Sequence, residues 1–122
     1  MIGTLLVCAT LLAVDGDTIK CNGVSMRDMG NGRPFVSGYD TPEIFNPKCQ
    51  EELELGRAAK ARMSELLATP GVRVWDSGQR DKSRSRRPLV WVRLPSGQTI
   101  GSVLMREGLA RKWTPKSKAN WC

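Results

Sequence analysis

A chain of 122 residues with 19 basic side chains, 12 acidic ones and no histidine is long enough for one domain and carries a net charge of +7. That charge favours a polyanionic partner, nucleic acid first. The missing imidazole excludes Ser-His-Asp hydrolysis, histidine-activated cysteine chemistry and any acid–base scheme built on histidine, which leaves carboxylates, arginines and a metal held by oxygen.

Residues 1–7 read as a lead-in or the remnant of an export signal, and residues 8–122 as a single domain. The uncharged run from Ile2 to Val14 is too short for a membrane span and lacks a basic n-region. Cys8 to Val14 reads as a buried strand. Asp15-Gly16 is a hairpin-turn dipeptide, Asp17 to Cys21 the return strand, and Asn22-Gly23 a second tight turn. Val24 to Phe35, interrupted by Gly30-Asn31-Gly32, has no clear period and reads as loop. Phe35 to Tyr39 then forms a short strand that delivers Asp40.

Asp40-Thr41-Pro42-Glu43 is the second acidic cluster of a basic chain, after Asp15-Gly16-Asp17. Two carboxylates three residues apart, with a proline fixing the backbone between them, suit one metal ligand and one general base. The same pattern also fits a helix capping box with Pro just inside the start. Pro47, however, would interrupt such a helix in its second turn.

Lys48 to Ala68 reads as the main helix. Glu51, Glu52 and Glu54 lie at its start and Lys60 and Arg62 follow, the order its dipole favours. Leu55, Ala59, Met63, Leu66 and Leu67 fall on one core face. Val72 to Trp75 and Leu89 to Leu94 are the last strands, and Ser102 to Ala110 is a short second helix. Between those strands, Arg80 to Arg87 packs five cations into eight residues, a composition suited to phosphate contacts or simply to a solvated loop. Lys82, Arg84 and Arg86 are its candidate phosphate contacts, and Arg87, just before Pro88 and a strand, is the one best placed to be aimed. Trp75 and Trp91 read as core, whereas Trp113 is a candidate for stacking a base. The pattern predicts a mainly β domain, a five-stranded barrel with two helices packed on it.

Cys8, Cys21, Cys49 and Cys122 include no C-x-x-C pair, so a zinc ribbon or a thioredoxin-type site is disfavoured. Four well-spaced cysteines in a small domain fit two disulfides and an oxidising compartment, secreted or periplasmic. Of the three pairings, Cys8–Cys21 across the Asp15-Gly16 turn and Cys49–Cys122 are favoured by position.

Val14-Asp-Gly-Asp-Thr-Ile19, Asp40-Thr-Pro-Glu43, Gly56 within a helix, Arg87-Pro-Leu-Val90 and Arg106-Glu-Gly-Leu-Ala110, in that order, resemble the staphylococcal nuclease (thermonuclease) family. The resemblance covers roughly Cys8 to Trp113 and implies an OB-fold barrel that hydrolyses phosphodiester bonds of DNA or RNA with calcium. It also implies a monomer acting on nucleic acid, with Asp17, Asp40 and the Thr41 carbonyl as calcium ligands. Glu43 is implied as the base that activates water and Arg87 as the guanidinium on the phosphate. Magnesium, which also takes oxygen ligands, is the alternative metal. Three departures stand against the family pattern. Phe35 occupies the place of a second active-site arginine, a role that falls to Arg27 or, as a rival, Arg33. The basic loop lacks a tyrosine and is two residues longer than the family's. The chain ends soon after Trp113, where a Cys49–Cys122 bond would stand in for a last helix. A non-catalytic nucleic-acid-binding OB-fold module and a protein-interaction module on the same barrel are the competing expectations.

Overall fold

The structure is a computed structural model that describes residues 3–117 and 119–122. Its architecture is mixed α/β: a curled six-stranded sheet, a two-stranded ribbon and two helices. The strands in chain order are β1 (Thr4–Leu6), β2 (Leu11–Ala13), β3 (Thr18–Cys21), β4 (Val24–Asp28), β5 (Gly38–Asp40), β6 (Arg73–Arg80), β7 (Pro88–Arg93) and β8 (Arg111–Trp113), with helices α1 (Gln50–Leu67) and α2 (Ile100–Arg106). The five strands expected are therefore too few. The large sheet has the order β1-β6-β7-β4-β3-β2, and β5 pairs with β8 apart from it.

The curl follows from chain connectivity. The edge strands β1 and β2 are joined only by residues 7–10. That link reaches about 17 Å when fully extended, whereas six flat strands would span about 24 Å from edge to edge. The sheet has to bend its edges toward one another. Residues 4–6, read from sequence as part of a lead-in, thus form an edge strand, pairing Leu5 with Trp75. A disulfide Cys8–Cys21 ties the link to the end of β3.

β4 is the other departure from the sequence reading. Val24–Asp28 lies inside the sheet, antiparallel to β3 and parallel to β7, where a loop was expected. Its alternation is real but disguised: Met26 and Asp28 are buried while Arg27 is only half-buried. A carboxylate on the buried side breaks the usual apolar signal. The Asn22-Gly23 turn appears as expected, with both residues at positive φ (53° and 82°), which a two-residue hairpin of this hand requires.

α1 buries Ala59, Met63, Leu66 and Leu67 against the sheet, while Leu55, assigned to the same face, stands at 36% exposure. Both helices begin on side-chain caps: Cys49 Sγ accepts from the Glu52 N–H, and Thr99 Oγ1 accepts from the Ser102 N–H. The core they close over includes Ile19, Met26, Tyr39, Val74, Val90, Val92, Ile100 and Leu104. Trp75 and Trp91, expected in that core, are only half-buried, and the Trp91 indole N–H donates to the Gly32 carbonyl (2.8 Å). A second disulfide, Cys49–Cys122, fastens the end of the chain to the start of α1. Both bonds match the pairing read from position and fit an oxidising compartment. Among the described residues, no helix is long and apolar enough to cross a membrane.

Candidate active site

Three neighbouring strands bring the first group of side chains together. Thr18 on β3 lies opposite Arg27 on β4, and Arg27 lies opposite Leu89 on β7, two residues after Arg87. In that row Arg27 Nη1 contacts Asp17 Oδ2 at 2.9 Å, and Arg87 Nη1 donates to Thr18 Oγ1 at 2.8 Å. Two guanidinium groups, one from β4 and one from the loop just before β7, thus converge on the Asp17-Thr18 pair. Arg27 also donates to the Tyr39 carbonyl, next to Asp40. Arg33, its rival in sequence, sits in an exposed turn, its backbone bonded to Ser37 Oγ.

The turn carrying Asp17 is built by Asp15, whose Oδ1 accepts the N–H groups of Asp17 (2.9 Å) and Thr18 (2.8 Å). Gly16 is required between them, because a Cβ there would lie 2.7 Å from Thr41 Cγ2. That close approach docks the second acidic cluster on the first. Thr41 itself is buried at 3% exposure.

The Asp40–Glu43 loop is held from below by α1. Gly56 lets the helix lie against the loop: a Cβ would come within 2.9 Å of the Pro42 carbonyl oxygen and 3.0 Å of that of Glu43. Glu52, one turn earlier and 4% exposed, accepts the backbone N–H groups of Glu43 (3.1 Å) and Lys48 (2.8 Å). Sequence reasoning assigned this glutamate to the helix dipole and missed its role in the loop. Its buried position among three acidic residues at a helix start has no local signature. On the other side, β8 supports the strand that delivers Asp40, pairing Asp40 with Arg111.

Electrostatically the site is crowded with negative charge. Burial, then the charge of Asp17, pushes Asp15 up to about 7. Burial followed by the same neighbour raises Asp40. For Glu43, burial and then Asp17, Asp40 and Glu52 raise the carboxyl, against a lowering pull from Arg27. Burial works against the charge of Arg27, but Asp17, Tyr39, Asp40 and Asp15 outweigh it and hold the guanidinium above its ordinary value. Beneath this group lies a buried hub. The Tyr39 hydroxyl stands 2.7 Å from Asp28 Oδ2 and 3.0 Å from the Gly16 carbonyl. Burial pushes Asp28 up to about 6, despite the Gly30 N–H, the Tyr39 hydroxyl and Arg27, which lower it.

Arg87 is aimed by Asp81, the first residue of the basic loop. Asp81 Oδ2 receives Arg87 Nε at 2.8 Å and Oδ1 receives its backbone N–H at 3.0 Å. Burial opposes the Asp81 charge, but the Ser83 hydroxyl and Arg87 hold its carboxyl below the usual range. The guanidinium is therefore pre-positioned from one side and open on the other, with 26% of the side chain exposed.

Two grooves flank Arg87. The first, about 510 Å³, runs between Phe35 and Trp113 and includes Arg27, Lys82 and Leu89. Lys82 Nζ lies 4.9 Å from the centre of the Phe35 ring. Phe35 thus forms part of the groove wall, with a positive φ of 65°. The second groove, about 400 Å³, holds Arg80, Arg86 and Phe45 on the far side of Arg87. Of the candidate binding residues, Lys82 and Trp113 fall in the first groove and Arg86 in the second. Arg84 is exposed and lines neither.

Among the described residues, no three histidine, cysteine or carboxylate side chains are close enough to enclose a metal by themselves. In comparison with known proteins, no protein-family model and no curated protein matches the chain.

Proposed function

We propose that the protein is a divalent-cation-dependent phosphodiesterase acting on DNA or RNA, an endonuclease on the OB-fold plan that works outside the cytoplasm, secreted or periplasmic. The observation that carries this reading is the convergence of Arg27 and Arg87 on Asp17-Thr18, with the Asp40–Glu43 loop docked on the same turn through Gly16 and Thr41. Concentrated negative charge beside two guanidinium groups serves a pure binder of polyanions poorly. It suits a site that must hold a phosphate and also activate water. The large sheet is compatible with the OB-fold plan in one respect: β1 and β2, at its opposite edges and linked by residues 7–10, can be counted as two halves of one bent strand, which leaves five in that sheet, with β5 and β8 apart from it.

A hard cation fits the donor set. Asp17, Asp40 and the Thr41 carbonyl offer only oxygen. Burial raises the carboxyl groups of Asp15, Asp40 and Glu43 first, and the neighbouring carboxylates, whose charge a cation would offset, raise them further. Held by these residues, such a cation would polarise the phosphate and lower the pKa of a water. The residues of the chain do the rest. Glu43, exposed to solvent and with its carboxyl raised by burial and then by Asp17, Asp40 and Glu52, accepts the proton of the attacking water. Arg27 and Arg87 bind the phosphate oxygens and stabilise the negative charge that grows on them, a task matched by the planar guanidinium fork. Asp81 and Thr18 position Arg87 for this.

Incubating single-stranded DNA and RNA with the protein in calcium, in magnesium and in chelator tests the proposal. Cleavage that chelator abolishes is the expected result. Tight, salt-sensitive binding without cleavage in either metal would replace it with a nucleic-acid-binding module. Absence of salt-sensitive binding would leave a protein-interaction module on the same sheet.

A further inference from the structure

The groove on the far side of Arg87 touches the chemistry just described only through Asp15, Thr18 and Arg87, and it shares with the first groove the residue that would hold the phosphate; its Val24, Phe45, Arg80 and Arg86 are unaccounted for. We propose that it is a second nucleotide subsite. On this reading the protein binds a strand through the Arg87 position and cuts within it, with one nucleotide between Phe35 and Trp113 and the next against Phe45.

The composition of the second groove fits this ligand. Phe45 is 71% exposed and Val24 47%, an apolar wall facing solvent beside the site. A flat exposed aromatic ring next to phosphate-binding cations is the usual platform for a base, whatever its sequence. The opposite wall is the turn Arg80–Arg87, in which Arg80 Nη1 donates to the Arg86 carbonyl (3.0 Å) and Arg86 adopts a left-handed backbone with φ of 47°. That bond shapes the longer loop into a wall and places the Arg86 side chain on the groove. At its inner end lie Asp15 and Thr18. Arg87, common to both grooves, is the phosphate position, and the exposed Phe45 ring is the place for the base. A strand crossing Arg87 would therefore meet aromatic rings on both sides of one phosphate. A ligand ending at the phosphate would use only one groove.

This inference rests on the nucleic-acid reading but not on catalysis, so affinity separates the two. Binding of a mononucleotide, a dinucleotide and a tetranucleotide would be measured by calorimetry in calcium on wild type, Phe45→Ala and Phe45→Trp, with a non-hydrolysable backbone. Stacking of one base on an aromatic ring makes roughly a tenfold difference in affinity. Wild type should therefore gain about tenfold when a nucleotide is added on the second-groove side. Phe45→Ala should lose that gain and Phe45→Trp keep it, with mononucleotide affinity equal in all three. The exposure of Phe45 means that its truncation leaves the core intact. No gain with length in wild type, or an equal gain in Phe45→Ala, would overturn the subsite whether or not the protein cleaves. The expected length dependence together with no cleavage of natural strands would uphold the subsite and remove the nuclease reading.

Discussion

At the scale of single residues, the site depends on a few contacts that fix otherwise flexible groups. Arg27 is the clearest. Its contact with Asp17 and its bond to the Tyr39 carbonyl hold it beside both acidic clusters, whereas Arg33 lies in an exposed turn. Arg27→Ala should lower kcat by about 10²–10³-fold, the usual loss of one charge-stabilising donor, while Arg33→Ala should change it less than twofold. Equal losses in both would contradict the assignment. Asp28 carries a pH signature. Its folded pKa of about 6 stands above the roughly 3.9 of an unfolded aspartate. Between those values the folded state binds a proton that the unfolded state has released, so stability falls as pH rises. Two pKa steps correspond to about 3 kcal/mol, present below pH 4 and lost as pH passes 6. Urea unfolding at pH 4.5 and 7 in chelator should show this slope, and Asp28→Asn should flatten it except for the part from the other raised carboxyl groups, Asp15, Asp40 and Glu43. A slope unchanged by the substitution would refute the role of Asp28. The carboxylates Asp17, Asp40 and Glu43 were legible in sequence because two short acidic motifs stand out in a basic chain. Glu52 and Asp28 were not, because a buried carboxylate is recognisable only once its hydrogen-bond donors are placed.

At the scale of elements, α1 acts as the floor of the acidic loop as well as a core helix. Gly56 and Glu52 do this on adjacent turns, one by close approach and the other by accepting two backbone N–H groups. Gly56→Ala should force the loop away from the helix, at a cost of about 1–3 kcal/mol for overpacking. A displacement of about 1 Å at the chemistry can cost 10²-fold in rate, so activity should fall well beyond the loss of folded protein. Thermal unfolding and kcat measured together check this, and full activity in a folded Gly56→Ala protein would contradict the floor. Glu52→Gln keeps one acceptor oxygen for two N–H groups and should cost about 1–3 kcal/mol. Helical periodicity gave the position of α1 to within two residues. It could not show which face would meet a loop rather than the sheet, and so Leu55 was misassigned. β4 escaped notice because Arg27 and Asp28, chosen for the site and its buried hub, interrupt the apolar alternation that marks a strand.

On the scale of the whole molecule, the supports of the site form a closed circuit. Asp40 on β5 pairs with Arg111 on β8. Arg111 stacks on Trp121, 4.4 Å from its ring centre, and donates to the Asn120 carbonyl. Cys122 is bonded to Cys49, the cap of α1, and Glu52 returns from α1 to the backbone of Glu43. The tail thus closes the circuit through its disulfide. Replacing both Cys49 and Cys122 with serine should cost about 2–5 kcal/mol of stability and loosen the acidic loop. The loss should appear as faster amide exchange at Thr41 and Glu43, and unchanged exchange there would break the circuit. The pairing of cysteines was readable from position, but the curl of the sheet was not, since it depends on β1 meeting β6 across the whole chain. If Glu43 activates water in a metal-dependent cleavage, single-turnover cleavage of a single-stranded oligonucleotide in calcium will separate wild type from Glu43→Gln. The variant should be about 10²–10⁴-fold slower, with oligonucleotide affinity intact. Equal rates in the two proteins, or no metal-dependent cleavage by wild type, would contradict that role for Glu43.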